Sequence, residues 1–418
     1  MDHFDYRNGE LYAEELPIAR IAEEVGTPVY IYSRATLERH ARVFRDGLKD
    51  LPSVHCAFAV KSNPNVAVLK VLKEQGFGAD VVSEGEMRRA LAAGIPAEDI
   101  VFSGVGKTRH ELTHALEAGV GQFNLESEEE GVELAGIAAR KGLTANCALR
   151  VNPDVEAGTH EKISTGKAEN KFGVPYDRAA EIFDRLARLP GMNLRGLAVH
   201  IGSQLQSLDP LEAAFGRMGA LMEAIRAEGH HITHMDLGGG VGVPYKQGEV
   251  FPSLEDYGAM VARVCKDWGV TLMFEPGRVI TGNSGVLVTE VIRVKQGVHS
   301  PFVVVDAAMN DLARPAMYDA WHDFQAVHPR GDHFIASVVG PICESSDTFA
   351  KNREIDRVEA GDLAVFRTAG AYGATMANTY NSRPLVPEVL VSGEKFAVVA
   401  DRIEPETILA AERVPDWL

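Results

Sequence analysis

Between residues 55 and 277 one pattern recurs: a short apolar run, then a longer amphipathic stretch. The runs are His55–Val60, Gly78–Val82, Ile100–Ser103, Gln122–Leu125, Asn146–Val151, Leu197–Ile201, His234–Leu237 and Val270–Phe274. Segments with helical apolar spacing separate them, among them Pro64–Gln75, Glu84–Ala93, His110–Ala118, Ser127–Lys141, Asp177–Arg188 and Asp209–Glu228. Runs that are apolar throughout, with no alternation, are strands buried on both faces, as in a parallel sheet covered by helices. Eight such units in ~220 residues predict a closed (β/α)8 barrel over an open doubly wound sheet.

After about residue 285 the rhythm changes to strands without helices between them. Gly285–Val294, Phe302–Asp306, His333–Val339, Asp362–Thr368, Pro387–Val391 and Phe396–Ala400 all read as β-strands. Pro28–Ser33 reads as a further strand that can join them. The fold class is therefore α/β: a barrel plus a mostly C-terminal all-β domain. The expected limits are 1–33 for an N-terminal segment joining the β-domain, 34–284 for the barrel and 285–418 for the β-domain.

Chemistry in such a barrel gathers at the C-terminal ends of its strands. The first run ends in Val60-Lys61-Ser62-Asn63-Pro64, and a lysine amine held there becomes nucleophilic when burial and nearby cations lower its pKa. Alone, such a lysine is more often a surface cation. The sixth run leads to His200-Ile201-Gly202-Ser203-Gln204, where His200 is either a hydrogen-bonded structural residue or a plate against a planar ligand. The seventh leads to Asp236-Leu237-Gly238-Gly239-Gly240, whose backbone can approach a phosphate or simply make a tight turn. The eighth leads to Glu275-Pro276-Gly277-Arg278, an acid and a base that could serve a heteroaromatic nitrogen and an anion. An amine, a phosphate cradle, a carboxylate and a flat histidine at one barrel mouth suit pyridoxal 5'-phosphate.

Charge narrows the partners. Lys plus Arg number 42 and Asp plus Glu 59, a net charge of −17 that disfavours nucleic acid and anionic membrane surfaces. No apolar run reaches the ~18 residues of a membrane span. The first residues carry acids where a secretory signal carries bases. Cys56, Cys147, Cys265 and Cys343 are too far apart in sequence for a thiol metal motif and read as reduced thiols. A cytoplasmic enzyme is expected, with no metal ligands.

Taken together, Lys61-Ser62-Asn63-Pro64, His200-Ile201-Gly202-Ser203-Gln204, the Gly238–Gly240 loop and Glu275-Pro276-Gly277-Arg278 resemble the fold-type III pyridoxal-phosphate decarboxylases, which pair an alanine-racemase-type barrel with a β-domain. Further motifs resemble the diaminopimelate branch of that family. They are Asp306-Ala307-Ala308-Met309-Asn310-Asp311-Leu312-Ala313-Arg314-Pro315-Ala316-Met317-Tyr318, Gly340-Pro341-Ile342-Cys343-Glu344-Ser345-Ser346-Asp347 and Ala369-Gly370-Ala371-Tyr372-Gly373. Ile163-Ser164-Thr165-Gly166 with Asn170-Lys171-Phe172-Gly173 agrees with them.

The resemblance implies roles. Lys61 carries the cofactor on its amine, His200 stacks on the ring and Glu275 meets the pyridine nitrogen. Ser203, Gly238, Gly239, Gly240, Gly277, Arg278 and Tyr372 surround the phosphate, and Asp80 and Glu86 match acids near the cofactor in the wider family. The implied substrate is meso-diaminopimelate. Arg278, Arg314 and Tyr318 would take its distal carboxylate and Glu344 its distal ammonium, with Tyr372 also at the substrate. Cys343 would return a proton after CO2 leaves, and it and Glu344 would come from the neighbouring subunit of a homodimer with shared sites.

Rival readings remain. A sister decarboxylase of a basic amino acid or carboxylated polyamine would lack the distal carboxylate and so the need for Arg314 with Tyr318. A non-catalytic cofactor carrier would not need Cys343. His110-Glu111-Leu112-Thr113-His114 matches the HExxH zinc-protease signature, with Glu133 as a possible third ligand, although the stretch is expected on an outer helix.

Overall fold

In the computed structural model residues 2–156, 170–246 and 248–418 are described, so Ile163–Gly166 lies outside the described residues. The chain forms two compact units, one of residues 38–243 and 250–280, the other of residues 1–37, 244–249 and 281–418.

The first unit is a closed barrel of eight parallel strands: β1 (Val54–Ala59), β2 (Gly78–Val81), β3 (Ile100–Phe102), β4 (Gln122–Leu125), β5 (Ala145–Asn152), β6 (Met192–Ala198), β7 (His234–Asp236) and β8 (Thr271–Phe274). Each pairs with the next, and β8 returns to β1 through Leu272 opposite Val54. Helices outside the strands include α1 (Val66–Glu74), α2 (Glu84–Ala92), α3 (Arg109–Ala118), α4 (Glu128–Lys141), α5 (Ala179–Ala187), α6 (Asp209–Ala227) and α7 (Leu254–Cys265). Local chemistry starts several of them in the same way. Ser83, Thr108, Ser127 and Ser253 each accept the N–H of the residue three further on, satisfying a donor that the first helical turn leaves over. Gly119 and Gly142, at φ +81° and +65°, end α3 and α4 in the left-handed region that glycine enters without strain.

All eight expected strands are present, with one shift that matters. The sixth was expected to run to Ile201 but starts at Met192 and ends at Ala198. Asn193 and Arg195 hide its beginning from an apolar reading, and His200 consequently sits in the loop beyond the strand.

In the second unit, strand Gly285–Lys295 is the hub. It pairs antiparallel with Val29–Ser33, Phe302–Val305 and Leu363–Phe366. The sheet continues through Val29–Ser33 to Glu388–Ser392 and Lys395–Ala400, and through Phe302–Val305 to His333–Val339 and Thr348–Asp356. Val29, Ile31, Val286, Val288, Val365, Val389 and Val391 share one core. Thr348–Asp356 escaped the sequence reading because Lys351, Asn352, Arg353 and Glu354 interrupt any apolar run. Its backbone bonds to His333–Val339 make it a strand without an apolar signal. Among the described residues no helix is long and apolar enough to cross a membrane.

Candidate active site

The residues singled out at the strand ends converge on one end of the barrel. Lys61 lies in a short 3₁₀ turn just past β1, and its Nζ donates to Asp80 Oδ2 at 2.6 Å from β2. Asp80 is fully buried while the lysine side chain is 38% exposed, so a buried anion holds an amine that solvent and small molecules can reach. The second oxygen, Asp80 Oδ1, is buried and has no hydrogen-bond partner among the described residues. Gly277, just past β8, packs where a Cβ would come within 3.1 Å of Ala59 and 3.2 Å of Ser62, so a larger residue would push this loop away from the Lys61 turn by a few tenths of an ångström.

Below the mouth lies a buried acid pair. Asp236 Oδ1 accepts the N–H of Gly238 at 2.9 Å, and Oδ2 accepts Asn124 Nδ2 at 2.8 Å. Asn124 Nδ2 also reaches Glu275 Oε1 at 3.2 Å, and Ser103 Oγ donates to the same oxygen at 3.3 Å. Burial and the charges of Asp236 and Asp80 push the Glu275 carboxyl well above the usual carboxylate range, so Glu275 retains a proton; burial raises Asp236 too, but hydrogen bonds from Asn124, Glu275 and the Gly238 N–H oppose that shift. A cluster of three acids around one lysine favours a further cation beside it, and a protonated ring nitrogen would provide one.

His200 is kept neutral. Burial, Arg150 and Lys61 depress its pKa well below the ordinary imidazole value. Its Nδ1 accepts the N–H of Gly239 at 3.3 Å, which puts any ring proton on Nε2. A neutral, oriented imidazole suits stacking better than proton transfer.

The glycine loop is fixed by packing. A Cβ on Gly238 would meet Val199 O at 2.5 Å, one on Gly239 would meet Glu275 O at 2.3 Å, and one on Gly240 would meet Gly202 O at 2.7 Å. The N–H groups of Gly238 and Gly239 are directed to Asp236 and His200. The buried Arg278 donates from Nη2 to Ser203 Oγ at 3.3 Å, which brings a guanidinium and a hydroxyl together as anion donors. Glu86, in the first turn of α2, accepts the N–H of Val82 through Oε2, a local contact at the start of its own helix.

The remaining sequence-derived residues lie on the second unit. Arg314 opens the helix Arg314–Tyr318, which places Tyr318 one turn along. Arg314 is buried, with its Cζ 4.5 Å from the Tyr245 ring centre and its Nη1 2.9 Å from His322 Nε2. His322 Nδ1 faces the Arg367 carbonyl at 2.9 Å. A carbonyl only accepts and a guanidinium only donates, so His322 carries its proton on Nδ1 and offers Nε2 to Arg314. Cys343 and Glu344 are exposed on the Gly340–Asp347 loop. Asp347 ties that loop down by accepting the N–H groups of Met309 and Ile342. Tyr372 has φ +56°, a costly conformation for a bulky residue and one often retained for function. Cys56, Cys147 and Cys265 are buried, and burial raises the thiols of Cys56 and Cys265 to about 12.

Asn124, Ser103, Asp236 and His322 were not assigned site roles from sequence. Asn124 left a signal, an amide inside the apolar run Phe123-Asn124-Leu125. His322 left none.

The HExxH reading changes in the structure. Glu111 is not a free base: its Oε2 accepts the N–H and Oγ1 of Thr108 in a capping box. Glu133 is bonded to Arg109, and the acid that meets both histidines is Glu84.

A barrel with a lysine past its first strand, an acid past its eighth and a buried arginine beside a glycine loop defines the class of pyridoxal-phosphate barrel enzymes. Residues 34–282 match the family described as "Pyridoxal-dependent decarboxylase, pyridoxal binding domain". The chain is 49% identical to the diaminopimelate decarboxylase of Zymomonas mobilis over 99% of each chain. The diaminopimelate decarboxylase of M. jannaschii in complex with L-lysine superposes with TM-score 0.94 at 33% identity, covering 100% of this chain and 99% of that one. The Helicobacter pylori enzyme with L-lysine gives 0.90 at 36%, covering 94% and 98%. The chain belongs to the diaminopimelate decarboxylase family.

Proposed function

We propose that the chain decarboxylates meso-diaminopimelate to L-lysine and CO2 with pyridoxal 5'-phosphate, the reading carried by its full-length likeness to diaminopimelate decarboxylases. The residues present fit that cofactor: a reachable amine at Lys61, a protonated acid at Glu275, a neutral His200, and Arg278 with Ser203 for a phosphate. The cofactor, once bound, supplies the electron sink for the pair left as CO2 departs.

The protein's own groups do the rest. Lys61 Nζ would hold the cofactor, and the Asp80 carboxylate beside it would take or return the proton of that amine. The Glu275 proton serves the ring nitrogen. Arg278, Arg314 and Tyr318 bind the distal carboxylate, Glu344 the distal ammonium, and Tyr372 contributes beside them. Cys343 Sγ delivers a proton to the carbon that lost CO2. The exposure of Cys343 and Glu344 on a single chain supports a homodimer in which each copy supplies these two residues to its partner's site. The free thiols support a cytoplasmic setting.

Borohydride reduction of the holoenzyme and peptide mapping should place the pyridoxyl adduct on Lys61. An adduct on any other lysine refutes that assignment. His322→Leu removes the acceptor that orients the buried Arg314, at a cost of about 1–3 kcal/mol. The expected result is a raised KM for diaminopimelate with kcat largely kept. An unchanged KM would show that Arg314 needs no such support.

A further inference from the structure

Sequence singled out the pair His110 and His114, and the decarboxylase reading does not use it. Helix α3 places the two one turn apart on one face, with ring centres 3.9 Å apart. Glu84, the first residue of α2, reaches both: its Oε2 lies 3.4 Å from His110 Nε2 and its Oε1 3.1 Å from His114 Nδ1. One ligand atom from each of the three lies within 4.8 Å of the others. A tetrahedral zinc ion with bonds of about 2.0–2.1 Å has its ligand atoms about 3.3–3.4 Å apart. Each imidazole nitrogen thus lies close to one oxygen of the carboxylate, His110 to Oε2 and His114 to Oε1, and a single ion shared by all three needs a side-chain adjustment within a group already gathered to 4.8 Å.

We propose that Glu84, His110 and His114 bind a divalent transition-metal ion of the imidazole-seeking kind, zinc or nickel, on the outer helical layer of the barrel. Two imidazoles and one carboxylate suit such ions better than magnesium or calcium, which prefer all-oxygen sites. Glu111 supports the site from behind: its Oε1 accepts the Glu84 N–H at 3.1 Å while its Oε2 caps α3. With both its oxygens engaged, Glu111 is not free to activate a metal-bound water, so the ion acts as a clamp between α2 and α3. The competing cation is Arg88, which donates to Glu84 Oε1. The Arg88 side chain is 69% exposed against 14% for Glu84, so the ion displaces an arginine whose lost contacts water replaces. The His110 side chain is 67% exposed, leaving room for water to complete the coordination.

The test is calorimetric titration of chelator-stripped holoenzyme with zinc chloride and, separately, nickel chloride, alongside thermal unfolding with and without zinc. Wild type should take up one ion per chain that the His110→Ala/His114→Ala double variant does not. Each single histidine variant should weaken that binding by more than the ~10–100-fold typical of a lost outer partner. Glu84→Gln, which keeps the size of the side chain and removes its charge, should also weaken it. Zinc should raise the wild-type melting temperature and leave that of the double variant where it was. Metal held elsewhere, for example by the exposed Cys343 thiol, remains in both titrations and cancels in the difference. Unchanged decarboxylation by the metal-free double variant verifies that it is folded. Identical titrations of wild type and double variant, or a zinc-induced stabilisation that survives in the double variant, would overturn the proposal.

Discussion

Arg314→Ala is expected to collapse the preference for diaminopimelate over lysine as a substrate. Sites built to bond a polar group reject analogues lacking it by roughly 10⁴–10⁵, because the buried groups then lose their partner. Arg314 has the features such rejection needs. It is buried, its charge is permanent, and it is held by a hydrogen bond to His322 and by the Tyr245 ring. A planar guanidinium held in this way can meet a carboxylate with two parallel hydrogen bonds, and lysine has no distal carboxylate to offer. Wild type should therefore turn over lysine or ornithine far more slowly than diaminopimelate. In Arg314→Ala the kcat/KM for diaminopimelate should fall steeply while that for lysine changes little. A wild type that already accepts lysine equally well, or a ratio untouched by the substitution, would defeat the diaminopimelate assignment and leave the wider decarboxylase reading standing.

The second large effect is expected at Cys343. Proton transfer by a placed side chain contributes about 10²–10⁴ in rate, so Cys343→Ala should lose turnover by that order. The thiol is exposed and its backbone N–H is tied to Asn381 Oδ1, so its removal opens no cavity and leaves the loop in place. Cofactor absorbance and the melting temperature should accordingly match wild type. Near-normal turnover would return Cys343 to an ordinary surface thiol. Mixing Cys343→Ala subunits with Lys61→Ala subunits tests whether sites are shared: a dimer of one of each can assemble one intact site. Recovery of activity on mixing is the expected result, and no recovery would put the whole site within one chain.

Both predictions start from residues visible in sequence and depend on partners that are not. Lys61, the Gly238–Gly240 loop and Glu275 could be located because a barrel strand announces itself as a buried apolar run, and the residues following it are local in sequence. The eightfold repeat of run and amphipathic stretch sufficed for the barrel, since a strand–helix alternation is a one-dimensional signal. Where apolar content was diluted, the signal failed. The start of β6 and the solvated strand Thr348–Asp356 are held by backbone bonds to neighbours, which leave little mark on side-chain composition.

What only the tertiary structure decided is which residues meet. Asp80 lies against Lys61 from a separate strand, and Asn124 bridges Asp236 and Glu275 from 112 and 151 residues away. His322 orients Arg314, and Glu84 rather than Glu133 joins the two histidines of α3. In each case the chemistry is a charge or a proton shared across elements. Local sequence sets the conformation of each element through periodicity, caps and turns. The protonation of Glu275, the neutrality of His200 and the tautomer of His322 depend on burial and on charges a few ångströms away, and those distances exist only once the barrel has closed and the sheet has paired.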